Sequence, residues 1–345
     1  MNKKNLGVIG YLNSAGIGSG TYEFVKKMKP KSLMLFENRS KPILKSYYDD
    51  AIKMTNVVKP VSGGHPDRKD FITWIDDNKL DTIYFNETPK NFELFDICNE
   101  KGIKLIAMIM WEWFDMTDKW KEAHILICPT KFTYEYLKEY GFKNIKYLPY
   151  PINTDVLKKR KITKAKTFLF NYGFKGLYDR KGGQFMFEAI RRLHKINENI
   201  KFYINSFIDV GDFCNATVFR EQLDFYYQCY MRGDMAIQPT RLEGVGLANL
   251  ESLACGMPTI TTDIAPVNEF VPDIKLLVDY KDVTIYKRGR VEVPYYNIDV
   301  DALCDKILYF YNRDIRDLSM ACRKRITDNY SWNVLLDEYK GIFFD

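Results

Sequence analysis

The chain has 345 residues, 46% hydrophobic and 28% charged, with a formal net charge of +6 and a pI near 8.7. That balance excludes a disordered or fibrous chain and predicts a globular protein long enough for two domains. A mild positive charge suits an anionic small molecule or surface and is too weak to mark nucleic-acid binding by itself. No apolar run reaches the roughly 20 residues of a membrane span. The opening stretch reads as a first buried strand rather than a secretion signal, so a cytoplasmic location is expected. Seven cysteines without a CxxC pair predict reduced core thiols, not a disulfide framework or metal knot.

In chain order, Leu6–Leu12 predicts a strand. Asn13–Thr21 then reads as a glycine loop (Gly16, Gly18, Ser19, Gly20) feeding a helix to about Lys29. The Gly16-x-Gly18-x-Gly20 spacing departs from the dinucleotide fingerprint, because position 21 is Thr. An NAD(P)-dependent oxidoreductase is therefore the weaker alternative, with Glu37 as its ribose acid. Strands follow over 31–36, 82–85, 104–110 and 144–148, with a strand and loop over 123–130, and helices over 70–77, 92–101 and 131–140. Residues 38–70 have no clear pattern, and Ser62–Pro66 reads as a loop. Trp111, Glu112 and Trp113 follow the apolar strand 104–110, where open α/β sheets bind ligands; the same tryptophans could simply cover the sheet. The three histidines, His65, His124 and His194, form no triad or metal set in sequence. Pro149-Tyr-Pro151 reads as the hinge.

The second half opens with a strand over 166–173 ending at Gly173, with Lys175 just beyond. Asp179-Arg180-Lys181-Gly182-Gly183 precedes a helix over 184–197. Two cations at a helix N-terminus oppose its dipole, so a bound anion is the expected compensation. A strand over 201–206 presents Asn205 near its end. Residues 207–220 have no clear pattern, and 222–231 predicts an aromatic-rich helix. Residues 281–296 alternate basic and aromatic groups and read as an excursion. Asp299-Val-Asp301 reads as a helix N-cap rather than a metal ligand pair. Residues 301–345 predict helices.

The most informative stretch is Met235–Asp263. Met235–Gln238 is a short strand stopped by Pro239. Glu243-Gly244-Val245-Gly246-Leu247 is a glycine loop opening a helix to Cys255, and Gly256 and Pro258 stop that helix before the strand 258–262. A glycine-led helix N-terminus attracts phosphate. Glu243 and Glu251 lie eight residues apart, about two turns, and so nearly on one side of the helix. Facing a phosphate they would repel it, so they read either as acceptors for sugar hydroxyls or as solvated surface acids.

Glu243-Gly-Val-Gly-Leu-Ala-Asn-Leu-Glu251-Ser-Leu-Ala-Cys-Gly-Met-Pro258 resembles the E-x7-E signature of retaining, GT4-type glycosyltransferases (glycosyl transferases group 1) of GT-B fold. Arg180-Lys181-Gly182 resembles their basic donor element. The resemblance implies an α/β protein of two Rossmann-like parallel-sheet domains facing across a cleft. The expected boundaries are 1–150, 151–325, and a C-terminal helix at 326–345 crossing back to the first domain.

It also implies roles. Glu243 touches the transferred sugar and Glu251 binds the ribose. Arg180, Lys181 and the amides of Gly244, Val245, Gly246 and Leu247 hold the diphosphate. Gly173, Lys175 and Asn205 complete the donor side. Gly16, Gly18, Ser19, Gly20, Trp111 and Glu112 serve the acceptor side or the phosphates. The chain has Trp-Glu where relatives often carry a histidine. The implied activity is hexosyl transfer with retention from a UDP- or GDP-sugar, with no metal and no cofactor beyond the donor. The acceptor is left open among a polysaccharide, glycolipid, glycoprotein or modified DNA base, with peripheral membrane contact as a further option. A non-transferring nucleotide-sugar binder or epimerase is the competing reading.

Overall fold

The structure is a computed structural model. It describes residues 4–36, 42–60, 65–87, 91–221, 223–288 and 291–345. Glu37 and residues 62–64 of the expected loop lie outside this set. The chain divides into two units. One comprises Met1–Tyr150, Asp224–Tyr226 and Leu335–Asp345; the other comprises Pro151–Leu223 and Tyr227–Val334.

The first unit is built on seven parallel strands: β1 (Leu6–Gly10), β2 (Ser32–Leu35), β3 (Asn56–Val58), β4 (Thr82–Phe85), β5 (Lys104–Met108), β6 (Ile125–Cys128) and β7 (Ile145–Tyr147). Their order is β3-β2-β1-β4-β5-β6-β7. β1, β2 and β4 are buried at every position, as strands covered on both faces by helices must be. The described helices are α1 (Gly16–Met28), α2 (Lys45–Ala51), α3 (Arg68–Asn78), α4 (Glu93–Glu100) and α5 (Lys131–Glu139). α2 and β3 occupy part of the region that showed no pattern. Phe71, Trp74, Phe85, Phe95 and Trp120 form an aromatic core, each at most 2% exposed. Burying each such ring contributes about 1.5–3 kcal/mol. Phe343 packs on Phe24 and Tyr84, with ring centroids 5.1 and 4.8 Å apart.

The second unit holds β8 (Thr167–Gly173), β9 (Lys201–Ser206), β10 (Ala216–Phe219), β11 (Met235–Gln238), β12 (Thr259–Thr262) and β13 (Leu277–Val278) in a parallel sheet ordered β10-β9-β8-β11-β12-β13. An antiparallel hairpin follows, β14 (Tyr280–Arg288) and β15 (Val291–Ile298). It replaces the unassigned excursion expected over 281–296. The helices are α6 (Gly183–Ile196), α7 (Leu247–Ala254), α8 (Val300–Phe310) and α9 (Arg316–Asn329), while α10 (Trp332–Phe344) belongs to the first unit from Leu335 onward. Asp299 caps α8, accepting from Asp301 N and Ala302 N at 2.9 and 3.2 Å.

Two expectations need correction. Within the aromatic segment, residues 223–231 form no α-helix; Tyr226–Met231 turns as a 3-10 helix. Its rings are spent on packing and hydrogen bonds, as with Tyr230 below, and not on a helical stripe. The first glycine loop is also misplaced, because Gly16, Gly18 and Gly20 lie inside α1. A Cβ on Gly18 would sit 2.2 Å from Asn13 O, and one on Gly20 would sit 1.6 Å from Tyr150 Oη. These glycines permit close packing of the helix; they do not open a loop.

Candidate active site

In the second sheet the chain runs outward from β8 through β9 to β10, then returns to β11 on the other side of β8. The carboxyl ends of β8 and β11 therefore flank the topological switch point, where open α/β sheets bind ligands. The loop after β8 carries Lys175, Arg180 and Lys181. The loop after β11 carries Glu243 to Gly246. The fold thus joins two segments that are sixty residues apart in sequence.

Glu243 is the centre of this junction and is 5% exposed. Its Oε2 accepts from Arg180 Nη1 at 2.8 Å, and its Oε1 accepts from Lys181 Nζ. Thr240 Oγ1 donates to the same Oε1 at 3.3 Å. Burial alone would raise the carboxyl pKa, but the two cations and their hydrogen bonds outweigh it and hold it below the usual carboxylate range. The two cations remain 25% and 19% exposed, so each keeps a face open to solvent.

The loop leading to Arg180 is conformationally costly. Lys175, Tyr178 and Asp179 all have positive φ (67°, 49° and 54°), and Gly173 and Gly176 do too (60° and 77°). Each non-glycine residue held there costs about 1–2 kcal/mol, which surrounding contacts must offset. Asp179 supplies some of them. Its carboxylate accepts from Gly183 N at 3.0 Å, Gln184 N at 2.8 Å and Tyr172 Oη at 2.9 Å. It thereby caps α6, so the anion expected at this helix end is a side chain of the protein itself. Gly182 admits no substituent, because a Cβ would meet Pro239 O at 1.9 Å.

Arg241, 4% exposed, ties the loop to the hairpin. Its Nη1 donates to Tyr178 O and its Nη2 to Asn297 Oδ1, both at 2.7 Å. Its own N–H donates to Arg180 O at 2.7 Å, and its carbonyl accepts from Tyr296 N at 3.1 Å. Tyr178 stacks on Tyr286 of β14 with centroids 4.2 Å apart. Sequence reading missed Asp179, Thr240, Arg241 and the hairpin's role. Only the Asp179 cap carried a local signal, an acid just ahead of a helix.

α7 starts at Gly246, whose φ of 84° and whose contact with Val267 Cγ1, 2.6 Å from a would-be Cβ, both demand glycine. No side chain caps α7, and its first turn holds no acid. Its N–H groups thus present a positive end beside Gly244 and Val245. Glu251, further along α7, is 9% exposed. It accepts from Tyr230 Oη, which in turn accepts from Asn171 Nδ2 at 3.3 Å. Burial and the Glu251 charge push the Tyr230 hydroxyl far above its ordinary pKa, so it stays a donor. Asn205 pairs in register with Asn171 across β8 and β9, and its Oδ1 accepts from Arg232 Nη1 at 3.1 Å.

The remaining candidates belong to the first unit. Ser19 Oγ donates to Gly16 O at 2.9 Å within α1. Trp111 is 7% exposed and packs edge-on against Phe132 of α5, centroids 5.1 Å apart. It covers the sheet; Trp113 is the exposed member of the pair, at 42%. Glu112 is 6% exposed on the same 3-10 turn. Among the described residues no group of His, Cys, Asp and Glu could hold a metal ion. Nor is any helix long and apolar enough to cross a membrane.

Residues 170–289 match the family described as glycosyl transferases group 1. That span contains the end of β8, the Arg180–Lys181 turn, the Glu243–Glu251 segment and β14, the first strand of the hairpin. The match spans 120 of the 345 residues. Similar solved structures agree with this fold. TarM of S. aureus superposes with a TM-score of 0.73 at 12% identity, over 99% of both chains. Sucrose-phosphate synthase from Thermosynechococcus elongatus gives 0.71 at 12%, over 99% of this chain and 98% of that one. HepE of Anabaena, solved with UDP and glucose, gives 0.70 at 12%, over 99% of both chains. No curated protein sequence matches the chain significantly. These superpositions show that the chain has the GT-B fold.

Proposed function

We propose that this protein transfers a hexosyl group from a UDP- or GDP-sugar to an acceptor hydroxyl, with retention of anomeric configuration. One observation carries the reading: at the switch point of the second sheet, Glu243 holds the Arg180 guanidinium and the Lys181 ammonium beside the uncapped start of α7. Two cations and a helix end outweigh one carboxylate, so the place is net positive and suits a diphosphate.

During transfer, the bond between the anomeric carbon and the diphosphate oxygen breaks, and negative charge grows on the departing diphosphate. Arg180, Lys181 and the amides near Gly246 and Leu247 stabilise that charge. The acceptor oxygen bonds to the anomeric carbon on the face the diphosphate leaves. Its proton passes to a diphosphate oxygen, so the protein need supply no nucleophile. Glu243, fixed from behind by both cations, presents what acceptor capacity remains to the sugar hydroxyls. Glu251, oriented by Tyr230, accepts from the ribose hydroxyls, and Asn205 lies toward the base. Gly173 and Lys175 shape the rim of the phosphate site. Gly16 to Gly20, at the start of α1, and Glu112 with its neighbouring tryptophans are assigned to the acceptor. The acceptor is a glycan, glycolipid or glycoprotein, and the protein works in the cytoplasm.

Thermal-shift screening with UDP, GDP, ADP and their sugars, followed by product analysis of the anomer formed, tests this reading. Glu251→Ala should weaken nucleotide binding, and Lys181→Ala should lower turnover sharply. Wild-type behaviour of both variants, or no shift with any nucleotide, would refute it.

A further inference from the structure

The segment Lys158-Lys-Arg-Lys-Ile-Thr-Lys-Ala-Lys166 places six cations and no acid in nine residues. None of the residues proposed for transfer lies in it. It is not a loose tail. Arg160 N donates to Cys255 O at 2.9 Å, and Arg160 Nη1 donates to Tyr230 O at 3.1 Å and to Gly233 O at 2.5 Å. Ala165 N donates to Arg313 O at 3.2 Å, and Ile315 N to Thr163 O at 2.9 Å. Arg160 and the backbone are thus consumed by the fold, and the lysines are left on the surface of an ordered backbone.

Residues 159–163 form one wall of a groove of about 880 Å³, completed by residues 272–275 and 309–321. The groove lies at the amino edge of the second sheet, just before β11 and β13, whereas Glu243 lies at the carboxyl edge. Lys159, Lys161 and Lys275 line it and form no salt bridge among the described residues. Three acids also line it, Asp273, Asp314 and Asp317, against six cations: Asp314 pairs with Arg316, and Asp273 Oδ1 accepts from Lys275 N at 2.9 Å. Beside these cations stand bare apolar side chains. Ile274, between two lining residues, is 81% exposed, and Met320 is 49% exposed.

We infer that this groove docks the protein on an anionic phospholipid surface, with lysines on the headgroups and Ile274 and Met320 in the interface. Cations alone would serve a nucleic-acid backbone equally well. Exposed aliphatic side chains gain nothing there, but they do gain at a lipid boundary, where apolar burial and headgroup attraction act together. Because the backbone carrying the lysines is already ordered, docking has to order only their side chains.

Co-sedimentation of the full chain with phosphatidylcholine vesicles, with and without phosphatidylserine, tests the inference. Binding should require phosphatidylserine and fall as salt rises. The combined variant Lys159→Gln, Lys161→Gln, Lys275→Gln should bind about 100-fold more weakly, from the contribution of each cation near an anionic leaflet. Ile274→Asn should weaken the binding that survives in salt. Both variants should keep the wild-type melting temperature and nucleotide affinity, so a failure here is separable from a failure of the transfer reading. Equal binding to both vesicle types, no binding to either, or a triple variant that binds like wild type would each overturn it. Displacement from vesicles by single-stranded RNA at lower charge concentration than by soluble glycerophosphate would overturn it in favour of nucleic acid.

Discussion

Replacing Glu243 with Gln separates the two tasks given to this carboxylate. Gln keeps the size and the Thr240 contact but removes the charge that holds Arg180 and Lys181. Removing one partner of a fully buried ion pair costs about 3–5 kcal/mol. Here the cations are 25% and 19% exposed and can turn to water, so the expected loss of unfolding free energy is about 2–3 kcal/mol. The effect on nucleotide should run the other way. A phosphate oxygen bound on the far side of the same ammonium would lie roughly 6 Å from the carboxylate, a repulsion of about 3 kcal/mol at an effective dielectric near 20. Relieving even half of that tightens diphosphate binding about tenfold. Turnover should still fall, because the sugar loses its acceptor. Urea unfolding, calorimetric titration with UDP and GDP, and transfer assays read the three quantities. Weaker nucleotide binding in Glu243→Gln, or unchanged stability, would refute the clamp.

Four further outcomes are expected. The folded pKa of Glu243 lies below its unfolded value of about 4.3, so its contribution to stability is complete above that value and is lost as pH falls through the folded one. Acid titration of unfolding should therefore be shallower for Glu243→Gln than for wild type. Gly246→Ala should cost about 2–4 kcal/mol in denaturant unfolding, from the left-handed backbone and the 2.6 Å approach to Val267. Arg241→Ala should raise the donor KM and destabilise by about 2–4 kcal/mol, and Arg241→Lys should rescue poorly because an ammonium cannot bridge Tyr178 O and Asn297 as a fork. Of the seven cysteines only Cys214 is exposed, and burial pushes Cys255 up to about 12 and Cys304 up to about 11. Native protein should thus show one fast thiol in a disulfide-exchange titration; two or more would contradict the packing.

What was legible in the chain was mostly local. Met235–Thr262 encodes strand, glycine opening, helix and stop within one short window, and the structure places them as read. Arg180 and Lys181 stood out as misplaced cations at a helix start, yet two of their consequences were out of reach. Glu243, from the loop after β11, pairs with both, and Asp179 caps the helix they precede. The first depends on strand order, which no local pattern contains; the second showed only as an acid just ahead of a helix. Gly18 and Gly20 misled for a related reason. Glycine looks like a loop by propensity, but here Asn13 and Tyr150 leave no room for a Cβ, and tertiary packing overrides the preference. The hairpin hid because its partners, Tyr178 and Arg241, lie far away in sequence.

Calorimetric titration of wild type and Lys181→Ala with a nucleoside and its diphosphate, run across the uridine, guanosine and adenosine series, is the most direct check on the diphosphate site. For one base, wild type should bind the diphosphate at least a hundredfold more tightly than the nucleoside, about 2.7 kcal/mol, with most of that gap gone in Lys181→Ala. Equal affinity for nucleoside and diphosphate in every series, or a gap untouched by the substitution, would contradict it.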